Sequence, residues 1–536
     1  LEHESLRGRE RDFLTASLAD LRRQRRVKRI ALVAAPLLLF AVFIGFRVQQ
    51  TRELAGKVEQ QLARAEASLA EARAAQDQAV RLRDQAFAEF DARRSTAEAR
   101  WKLARAAVQA ADRRYRATLQ ALETVLGLDF EHTGARARLG EAIFERAVAA
   151  EASGKLELAA ELIERLPQDS PQLARWGAPG RLSLATDPPS AVTLAEYRLD
   201  PDTLRRELGP ARALGDTPVR GLVLAQGSYR LGLRVAGGDE VVYPLLVARA
   251  QQIDLDLRLP RPGQLPAGFV FVPAGQSPIG SADEEMIRNF FVTVPQHPVR
   301  LPAYVIARHE TTYAQWLAFL RDLPPDERAR YLPSSETMLL GAGIILAQDA
   351  DGRWSLSMSA GERTLHAVEG EPIAYPGRTA HATQDWLQMP VGGINFADAV
   401  AYLAWLDRSG RVPGARLCSD WEWERAARGV DGRVYPHGDR LAPGEANIDR
   451  TYGDAAENRG PDMVGLHPES RSPFGVDDMT GNNWEWVRSS VEDGGGVVRG
   501  GAFAYEETTA ASLNRNRLPL ETRDSTVGLR VCASIQ

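Results

Sequence analysis

Cysteine is scarce in this chain, whose 536 residues include only Cys418 and Cys532. Two thiols are too few for a disulfide framework or a four-cysteine zinc site, and whether they form a single bridge with each other stays open. A dominant charge sign is also lacking, because the formal net charge is −5 and both signs are mixed along the chain. Without a basic field, no nucleic-acid partner is expected. The length instead predicts a modular protein of several domains.

Glycine and proline are absent from residues 57–126, where alanine and charged residues dominate. Apolar residues recur there in steps of three and four, which is typical of long amphipathic helices. The pattern predicts an α-helical stalk over residues 47–127, either a coiled coil through which the chain self-associates or an antiparallel helical hairpin. Two shorter amphipathic helices, at 132–150 and 156–166, predict a tetratricopeptide-like segment over residues 128–176.

Long hydrophobic runs are limited to one, the uncharged residues 30–46. As a helix rising about 1.5 Å per residue, this run is roughly 25 Å long, and flanking arginines extend it toward the ~30 Å of a bilayer core. We interpret it as a transmembrane helix. A buried core helix and a cleaved signal peptide are the alternatives, although no small-residue cleavage site follows Phe46.

Basic residues set the orientation of this helix. Six of the eight residues from Arg22 to Arg29 are Arg or Lys, and such flanks stay in the cytosol. Residues 1–29 are therefore predicted to be a cytosolic juxtamembrane segment, with everything after Arg47 on the periplasmic side of a bacterial inner membrane. Residues 10–29 resemble the segment that joins STAND-type NTPase or kinase modules to a membrane helix. The resemblance implies such a cytosolic module upstream, although the residues given contain no phosphate-binding loop or kinase motif.

Short alternating strands replace the helical periodicity over residues 177–260. Three of them, at 181–186, 229–235 and 253–259, predict a small β-sandwich. The turns between the strands are Asp-Pro-Pro-Ser at 187–190, Gly-Asp-Thr-Pro at 215–218 and Gln-Gly-Ser-Tyr at 226–229. These turns resemble those of a PEGA domain, which implies a spacer or binding module.

Seven separated motifs occur in residues 261–536. The motifs are Gly-Phe-Val-Phe-Val-Pro-Ala-Gly (268–275), Arg-His-Glu-Thr-Thr-Tyr-Ala-Gln-Trp (308–316), Met-Pro-Val-Gly-Gly-Ile-Asn (389–395), Arg-Leu-Cys-Ser-Asp-Trp-Glu-Trp-Glu-Arg-Ala-Ala-Arg-Gly (416–429), Asp-Met-Thr-Gly-Asn-Asn-Trp-Glu-Trp (478–486), Val-Arg-Gly-Gly-Ala-Phe (498–503) and Gly-Leu-Arg-Val-Cys-Ala (528–533). Their order resembles that of the formylglycine-generating enzyme (FGE-sulfatase) family, which implies a loop-rich α+β domain of the C-type-lectin kind.

Tryptophans in these motifs bring large apolar area to segments of little periodicity, so we expect them to build the core. They are Trp421, Trp423, Trp484 and Trp486. Glu422 and Glu424 lie among them, and buried carboxylates require cationic partners. The candidate partners are Arg425, Arg499 and Arg530. The inserted residues 322–382 match no motif and receive no assignment.

Enzymes of this family oxidise a substrate cysteine with two active-site cysteines that bind copper. The resemblance places those positions at Tyr505 and Ala510. Soft thiolates hold copper(I), and neither residue supplies one, so we expect neither copper nor formylglycine generation. Other branches hold a non-haem iron through a His-x3-His-x-Glu motif, and none of the eight histidines has this spacing.

Calcium is the metal that the resemblance favours. Hard oxygen ligands in an irregular loop suit Ca²⁺, and the family pattern supplies the side chains of Asp478 and Glu485 with the carbonyls of Gly481 and Asn483. A second site is expected at Asn447 and Ile448. The alternative for Glu485 is a carboxylate that only caps a turn.

The leading functional hypothesis is a membrane-anchored extracytoplasmic sensory or recognition protein. Its non-catalytic domain would bind a peptide, protein or glycan in a groove lined by Tyr505, Glu506, Asn514 and Arg517, and signal through residues 30–46. A second hypothesis is an oxidoreductase of the formylglycine-generating or non-haem-iron kind, acting on a protein or small molecule. A third is a retroelement-diversified display protein whose variable residues would lie between 505 and 526.

Overall fold

The computed structural model describes residues 8–335, 343–491 and 496–535. The chain divides into two compact units. One combines the described residues up to Ala79 with Ala106–Ala149 and Glu157–Leu166. The other combines Val80–Arg105, Ala150–Leu156 and the described residues from Pro167 onward.

The first helix, α1 (Gly8–Asp91), is 84 residues long and contains Pro36. Its apolar stretch is exposed, with Leu32 79 % and Leu39 71 % accessible. By length and composition α1 can cross a membrane, and a signal sequence near the amino terminus has the same properties. The exposed surface argues against the buried core helix that was one interpretation of residues 30–46.

A short turn reverses the chain into α2 (Ala97–Leu128). The two helices run antiparallel, since Ser68 contacts Thr118 (hydroxyl oxygens 3.0 Å apart) and Phe87 stacks on Trp101 at 5.7 Å. Alanine recurs every seven residues along the buried face of each helix. The buried alanines are Ala65, Ala72, Ala79 and Ala86 in α1, and Ala97, Ala104 and Ala111 in α2. These small side chains, repeated every seven residues, account for the apolar periodicity in the sequence. Of the two predicted arrangements, the helices have that of the antiparallel hairpin. Three shorter helices follow: α3 (Thr133–Glu151), α4 (Leu156–Glu164) and α5 (Pro171–Trp176).

Residues 180–258 form eight strands in two sheets. One sheet has the order β5-β1-β8; the other has the order β3-β2-β6-β7, with β4 also paired to β2. Inward residues of both sheets, including Leu182 and Leu231, belong to one hydrophobic cluster. The strands are β1 (Gly180–Asp187), β2 (Ser190–Leu199), β3 (Arg206–Leu208), β4 (Arg212–Asp216), β5 (Val219–Leu224), β6 (Gly227–Val235), β7 (Glu240–Val247) and β8 (Gln252–Arg258).

The carboxyl-terminal domain is built on two four-stranded sheets, β19-β24-β12-β9 and β22-β21-β20-β23. Short helices and long loops surround them, which agrees with a loop-rich α+β domain. The first part contains β9 (Phe269–Val272), β10 (Gly275–Ile279), α6 (Glu285–Phe290), β11 (His297–Leu301), β12 (Tyr304–Ala307) and α7 (Tyr313–Asp322). The second contains α9 (Phe396–Arg408), β19 (Ala415–Leu417), α10 (Asp420–Arg428), β20 (Trp484–Arg488), β21 (Gly496–Arg499), β22 (Asn516–Leu518), β23 (Val527–Leu529) and β24 (Val531–Ser534).

The inserted segment that the sequence left unassigned has its own secondary structure. It contains α8 (Pro325–Arg328), the four-stranded sheet β13 (Ser334–Ser335), β14 (Ile344–Gln348), β15 (Trp354–Ala360) and β16 (Arg363–Val368), and the pair β17 (Ile373–Ala374) and β18 (Thr383–Gln384). Trp354 and Leu356 of this sheet are buried in the same hydrophobic cluster as the domain core. The insertion is therefore an integral part of the domain.

Three of the four predicted core tryptophans, Trp423, Trp484 and Trp486, are fully buried. Trp421 differs from the prediction. It is only partly buried and packs against a satellite cluster that includes Phe90 of α1. The reason is its position on α10, where Trp421 and Trp423 point to different sides of the helix.

Candidate functional site

The two cysteines, Cys418 and Cys532, form a disulfide with Cα atoms 4.9 Å apart. Cys532 lies on β24, which pairs with β19, and Cys418 follows β19 directly. Both side chains are buried. Because these are the only cysteines of the chain, the disulfide engages both thiols.

Tyr505 and Ala510, the positions where copper-binding cysteines were expected from the resemblance, lie at the two ends of one loop. Tyr505 is half-buried, and its ring meets that of Trp484 edge-on at 5.7 Å. Burial, with the nearby Asp524 carboxylate, raises the pKa of Tyr505. Ala510 is fully buried beneath Gly501, where an added Cβ would lie 2.8 Å from the Ala510 methyl group. This loop is packed closely at its second end.

Of the four predicted ligand residues, Tyr505 and Glu506 lie in this loop, Asn514 lies in the segment after it, and Arg517 lies on strand β22. Glu506 is exposed, and its carboxylate accepts a 2.8 Å hydrogen bond from Thr508. Asn514 is buried, and its amide donates to the carbonyl of Thr509 at 2.7 Å. Arg517 is exposed on β22. Tyr505, Glu506 and Arg517 therefore face solvent at least in part, whereas Asn514 braces the loop from inside.

The predicted calcium ligand Glu485 lies in the centre of the domain. Its carboxylate accepts a 2.7 Å hydrogen bond from Arg530 and a 2.6 Å hydrogen bond from the indole of Trp423. The side chains of Glu485 and Arg530 are almost completely buried. Glu485 is thus the anion of a buried ion pair, a role different from the turn cap that was its alternative interpretation.

Other buried carboxylates are paired as well, partly with the predicted arginines. Glu424 binds Arg499 at 2.7 Å, as expected, and Arg428 at the same distance. Arg530 pairs with Glu485 instead of Glu422 or Glu424. Arg425 donates to the Ser277 hydroxyl at 2.7 Å and to the Pro273 carbonyl at 3.0 Å.

Two further carboxylates, those of Glu310 and Asp478, are buried near Glu485. Glu310 accepts 2.9 Å hydrogen bonds from the Asn482 amide and the Asn483 backbone N–H. Burial, together with the negative charges of Asp478 and Glu485, raises the pKa of Glu310 well above its ordinary value. Burial also raises the pKa of Asp478, whose carboxylate accepts a 2.6 Å hydrogen bond from the Gly465 N–H.

Sequence reasoning missed Glu310. It lies inside the Arg-His-Glu-Thr-Thr motif that was assigned only to a helix start, 168 residues before Asp478. The available signal was a carboxylate two residues before a threonine that can cap a helix, and Thr312 does cap α7.

The charges of this centre do not balance by side chains alone. Glu310, Asp478 and Glu485 can carry three negative charges, and Arg530 is the guanidinium whose charge acts on all three, while His309 and Asp477 also act on Asp478. Uncompensated buried charge is costly, so the group must take up protons or bind a cation. Within the described ranges no group of three or more His, Cys, Asp or Glu residues is placed to hold a metal ion. Any cation here would therefore also need backbone or amide oxygens. The Asn483 side-chain oxygen is buried with no hydrogen-bond partner among the described residues.

Asn447 connects the predicted second site to this centre. Its carbonyl accepts a 2.8 Å hydrogen bond from Asn482 N–H, and its amide donates to the Gly460 carbonyl at 2.9 Å. The adjacent Ile448 donates its N–H to the Thr451 hydroxyl at 2.8 Å.

These features define a loop-rich α+β domain with a disulfide beside its central sheet and a buried acidic centre. Residues 258–535, just over half of the chain, match the family described as the sulfatase-modifying factor enzyme 1-like domain, FGE-sulfatase. The chain belongs to this family, which confirms the resemblance seen in the motifs.

Curated relatives include proteins of different activity. The chain is 34 % identical over 173 residues to the inactive C-alpha-formylglycine-generating enzyme 2 of Mus musculus, covering 30 % of this chain and 52 % of that protein. It is 30 % identical over 260 residues to hercynine oxygenase of Mycolicibacterium smegmatis, covering 47 % and 53 %. It is 30 % identical over 235 residues to the formylglycine-generating enzyme of Mycobacterium tuberculosis, covering 41 % and 73 %. The chain spans about half the length of the first two relatives.

Proposed function

We propose that residues 261–536 form a non-catalytic recognition domain that binds a peptide, protein or glycan. The observation that carries this proposal is the Cys418–Cys532 disulfide. It engages both thiols of the chain, while Tyr505 and Ala510 stand where the family resemblance expects copper-binding cysteines. Without two thiolates the domain lacks the soft ligand set of copper(I). The name of the inactive mouse relative shows that loss of activity occurs within similar sequences.

The proposed ligand surface is the loop that carries Tyr505 and Glu506, with Arg517 on strand β22. An aromatic edge and exposed charges of both signs suit a polar ligand, and loops on a rigid scaffold are where binding residues concentrate. Asn514 contributes indirectly in this proposal, because its hydrogen bond to Thr509 supports the loop.

The proposal places this domain outside the cytoplasm of a bacterium, on a chain held in the inner membrane by residues 30–46. Exposure of that apolar stretch supports a membrane environment. The disulfide supports an oxidising compartment, where such bonds persist. Helix α1 continues without interruption from the apolar stretch into the hairpin, so it would carry a signal toward a cytosolic kinase or NTPase module. Self-association through the hairpin would accompany this signal.

Calcium is the proposed structural ion of the acidic centre. The orphaned Asn483 side-chain oxygen supports this proposal because it offers a hard ligand, and the carboxylates of Glu310, Asp478 and Glu485 can supply negative charge for a divalent cation. Asp478 and Glu485 would supply carboxylate oxygens, Gly481 and Asn483 backbone carbonyls, and Glu310 compensating charge. The bound ion would stabilise the loop and supply no redox chemistry.

Binding assays on the full chain in detergent test the recognition proposal. Glycan and peptide arrays are probed with wild type and with Tyr505→Ala, Glu506→Ala and Arg517→Ala. The matched control is Glu371→Ala, an exposed carboxylate of the inserted segment. We expect the three loop variants to lose binding and the control to retain it. Equal binding by all variants, or tight copper(I) uptake with oxygen consumption by wild type, would contradict the proposal.

An oxidoreductase is the second candidate, and similarity to hercynine oxygenase and to a formylglycine-generating enzyme is what favours it. Its catalytic groups would have to lie outside the thiol pair. A mass change in a cysteine-containing peptide or in hercynine incubated with the chain and oxygen would establish it. Unchanged masses together with array binding would favour recognition.

A further inference from the structure

The side chain of Arg378 is completely buried, although it comes from the inserted segment that no family motif covers. Its guanidinium lies between two aromatic rings, 3.5 Å from the ring centre of Tyr375 and 4.0 Å from that of Tyr452. A buried guanidinium must find acceptors for its N–H groups as well as a counter-charge. Arg378 finds both in one short stretch of chain.

Three oxygen atoms, from every second residue of that stretch, accept hydrogen bonds from the guanidinium. Arg378 donates to the carbonyl of Asn458 at 2.7 Å, the carbonyl of Gly460 at 2.8 Å and the carboxylate of Asp462 at 2.6 Å. Two backbone carbonyls and one carboxylate directed at one position are the ligand types that a hard divalent cation prefers. We call this group of oxygens, from Asn458, Gly460 and Asp462, the oxygen cradle.

The cradle is held in place independently of Arg378. Asp462 also accepts hydrogen bonds from Tyr452 at 2.6 Å and His467 at 2.9 Å. The Gly460 carbonyl also accepts the amide of Asn447, which connects through Asn482 to the acidic centre. The cradle is thus a rigid cation site directly beside the position where the family pattern suggested a second calcium.

We propose that the guanidinium of Arg378 serves as the permanent cation of this site, in place of a metal ion, and that removing it creates a site for a hard divalent cation. In the intact chain the predicted calcium ligand Asn447 is engaged by protein groups, since its amide donates to the Gly460 carbonyl and its own carbonyl accepts from the Asn482 N–H. The same Gly460 oxygen binds Arg378, so the inference places the guanidinium, and no metal ion, beside Asn447 and Ile448. The inserted segment thereby fixes the loop under the acidic centre without a metal. This inference does not depend on calcium binding at Asp478 and Glu485.

Calcium titration calorimetry on the full chain in detergent tests the inference by comparing stoichiometries. Arg378→Ala is expected to bind one Ca²⁺ more than wild type, and the additional Asp462→Asn substitution is expected to remove that ion. Without calcium, Arg378→Ala should lower Tm by about 10 °C, as expected when a buried ion pair loses one partner. Calcium or guanidinium ion should restore at least half of this loss.

The matched control is Arg425→Ala, which also removes a fully buried guanidinium but whose hydrogen bonds go to a hydroxyl and a carbonyl. The Arg425→Ala variant should have a lower Tm than wild type. It should bind no additional calcium ion, and calcium should not restore its Tm. An unchanged stoichiometry in Arg378→Ala, with no recovery, would overturn the inference.

If Arg378→Ala does not fold, the calcium stoichiometries of wild type, of Asp462→Asn and of Arg378→Lys test the inference instead. Asp462→Asn in wild type should leave the number of bound calcium ions unchanged, and Arg378→Lys, which keeps a cation in the cradle, should match wild type. A calcium ion lost from wild type on Asp462→Asn would show that the cradle already binds metal. If no calcium binds at Asp478, wild type and Arg378→Ala would each bind one calcium ion fewer, but the difference between them would remain. The two proposals can therefore fail independently.

Discussion

Arg530 donates a 2.7 Å hydrogen bond to Glu485, and neither side chain is more than 1 % exposed. Removing one member of such a pair leaves the other charged and buried, which costs about 3–5 kcal/mol. We therefore expect Arg530→Ala to lower the free energy of unfolding by this amount in denaturant titrations.

Arg353→Ala is the control for this substitution. Arg353 pairs with Asp349 at 3.2 Å, but the two side chains are 63 % and 39 % exposed. An exposed pair contributes at most about 1 kcal/mol. Equal losses for Arg530→Ala and Arg353→Ala would show that the central ion pair does not stabilise the domain.

Calcium is expected to raise the Tm of wild type, because an ion that binds only the folded chain stabilises it by about 2.7 kcal/mol at one hundred times its Kd. Asp478→Asn removes one proposed ligand and should abolish this rise, as measured by thermal melting in calcium and in chelator. Asp349→Asn, which changes an exposed carboxylate, is the control and should keep it. If Asp478→Asn responds to calcium like wild type, the ion binds elsewhere.

Loss of the disulfide should destabilise the domain without altering its metal content. Cys418 and Cys532 are 114 residues apart, and removal of a native disulfide typically costs about 2–5 kcal/mol. Denaturant unfolding of Cys418→Ser/Cys532→Ser against wild type, each with and without reductant, measures this cost. Reductant should affect wild type alone; a double variant as stable as oxidised wild type would contradict the prediction.

The histidines His467 and His437 should respond to pH in opposite directions. Burial opposes charging of His467, but its hydrogen bond to Asp462 prevails and raises its pKa. A raised pKa contributes stability that is complete below the unfolded value of about 6.5 and is lost as pH rises through the folded value. Substituting His467→Gln should therefore lower Tm more at pH 6 than at pH 8.5.

For His437, burial lowers the pKa, so its neutral form favours the fold. Its contribution is present above the unfolded value of about 6.5 and is lost as pH falls. His437→Gln should consequently change Tm least at pH 5. Thermal melting of wild type and both variants from pH 5 to 8.5 measures how each substitution changes Tm as a function of pH. If the Tm difference from wild type varied with pH in the same direction for both variants, the opposite pKa shifts of the two histidines would be refuted.

The sequence by itself determined the local structure and the family. The run without glycine or proline encodes the long helices of the hairpin, and alternating strands between 181 and 259 encode the sheets, because periodicity and turn chemistry act over a few residues. The motif order sufficed to identify the FGE-sulfatase domain. The motif that precedes Tyr505 and Ala510 likewise sufficed to align these two residues with the copper-binding cysteine positions of the family.

Only the tertiary structure decided which distant groups meet. It paired Cys418 with Cys532, placed Glu310 beside Asp478 and Glu485, and directed Arg378 of the inserted segment into the oxygen cradle. Such contacts depend on how the chain crosses itself and on burial, which makes an unpaired charge costly and so selects its partner. A local pattern contains neither the path of the chain nor the burial of its residues, which is why the acidic centre and its pairing with Arg530 became visible only in the folded chain.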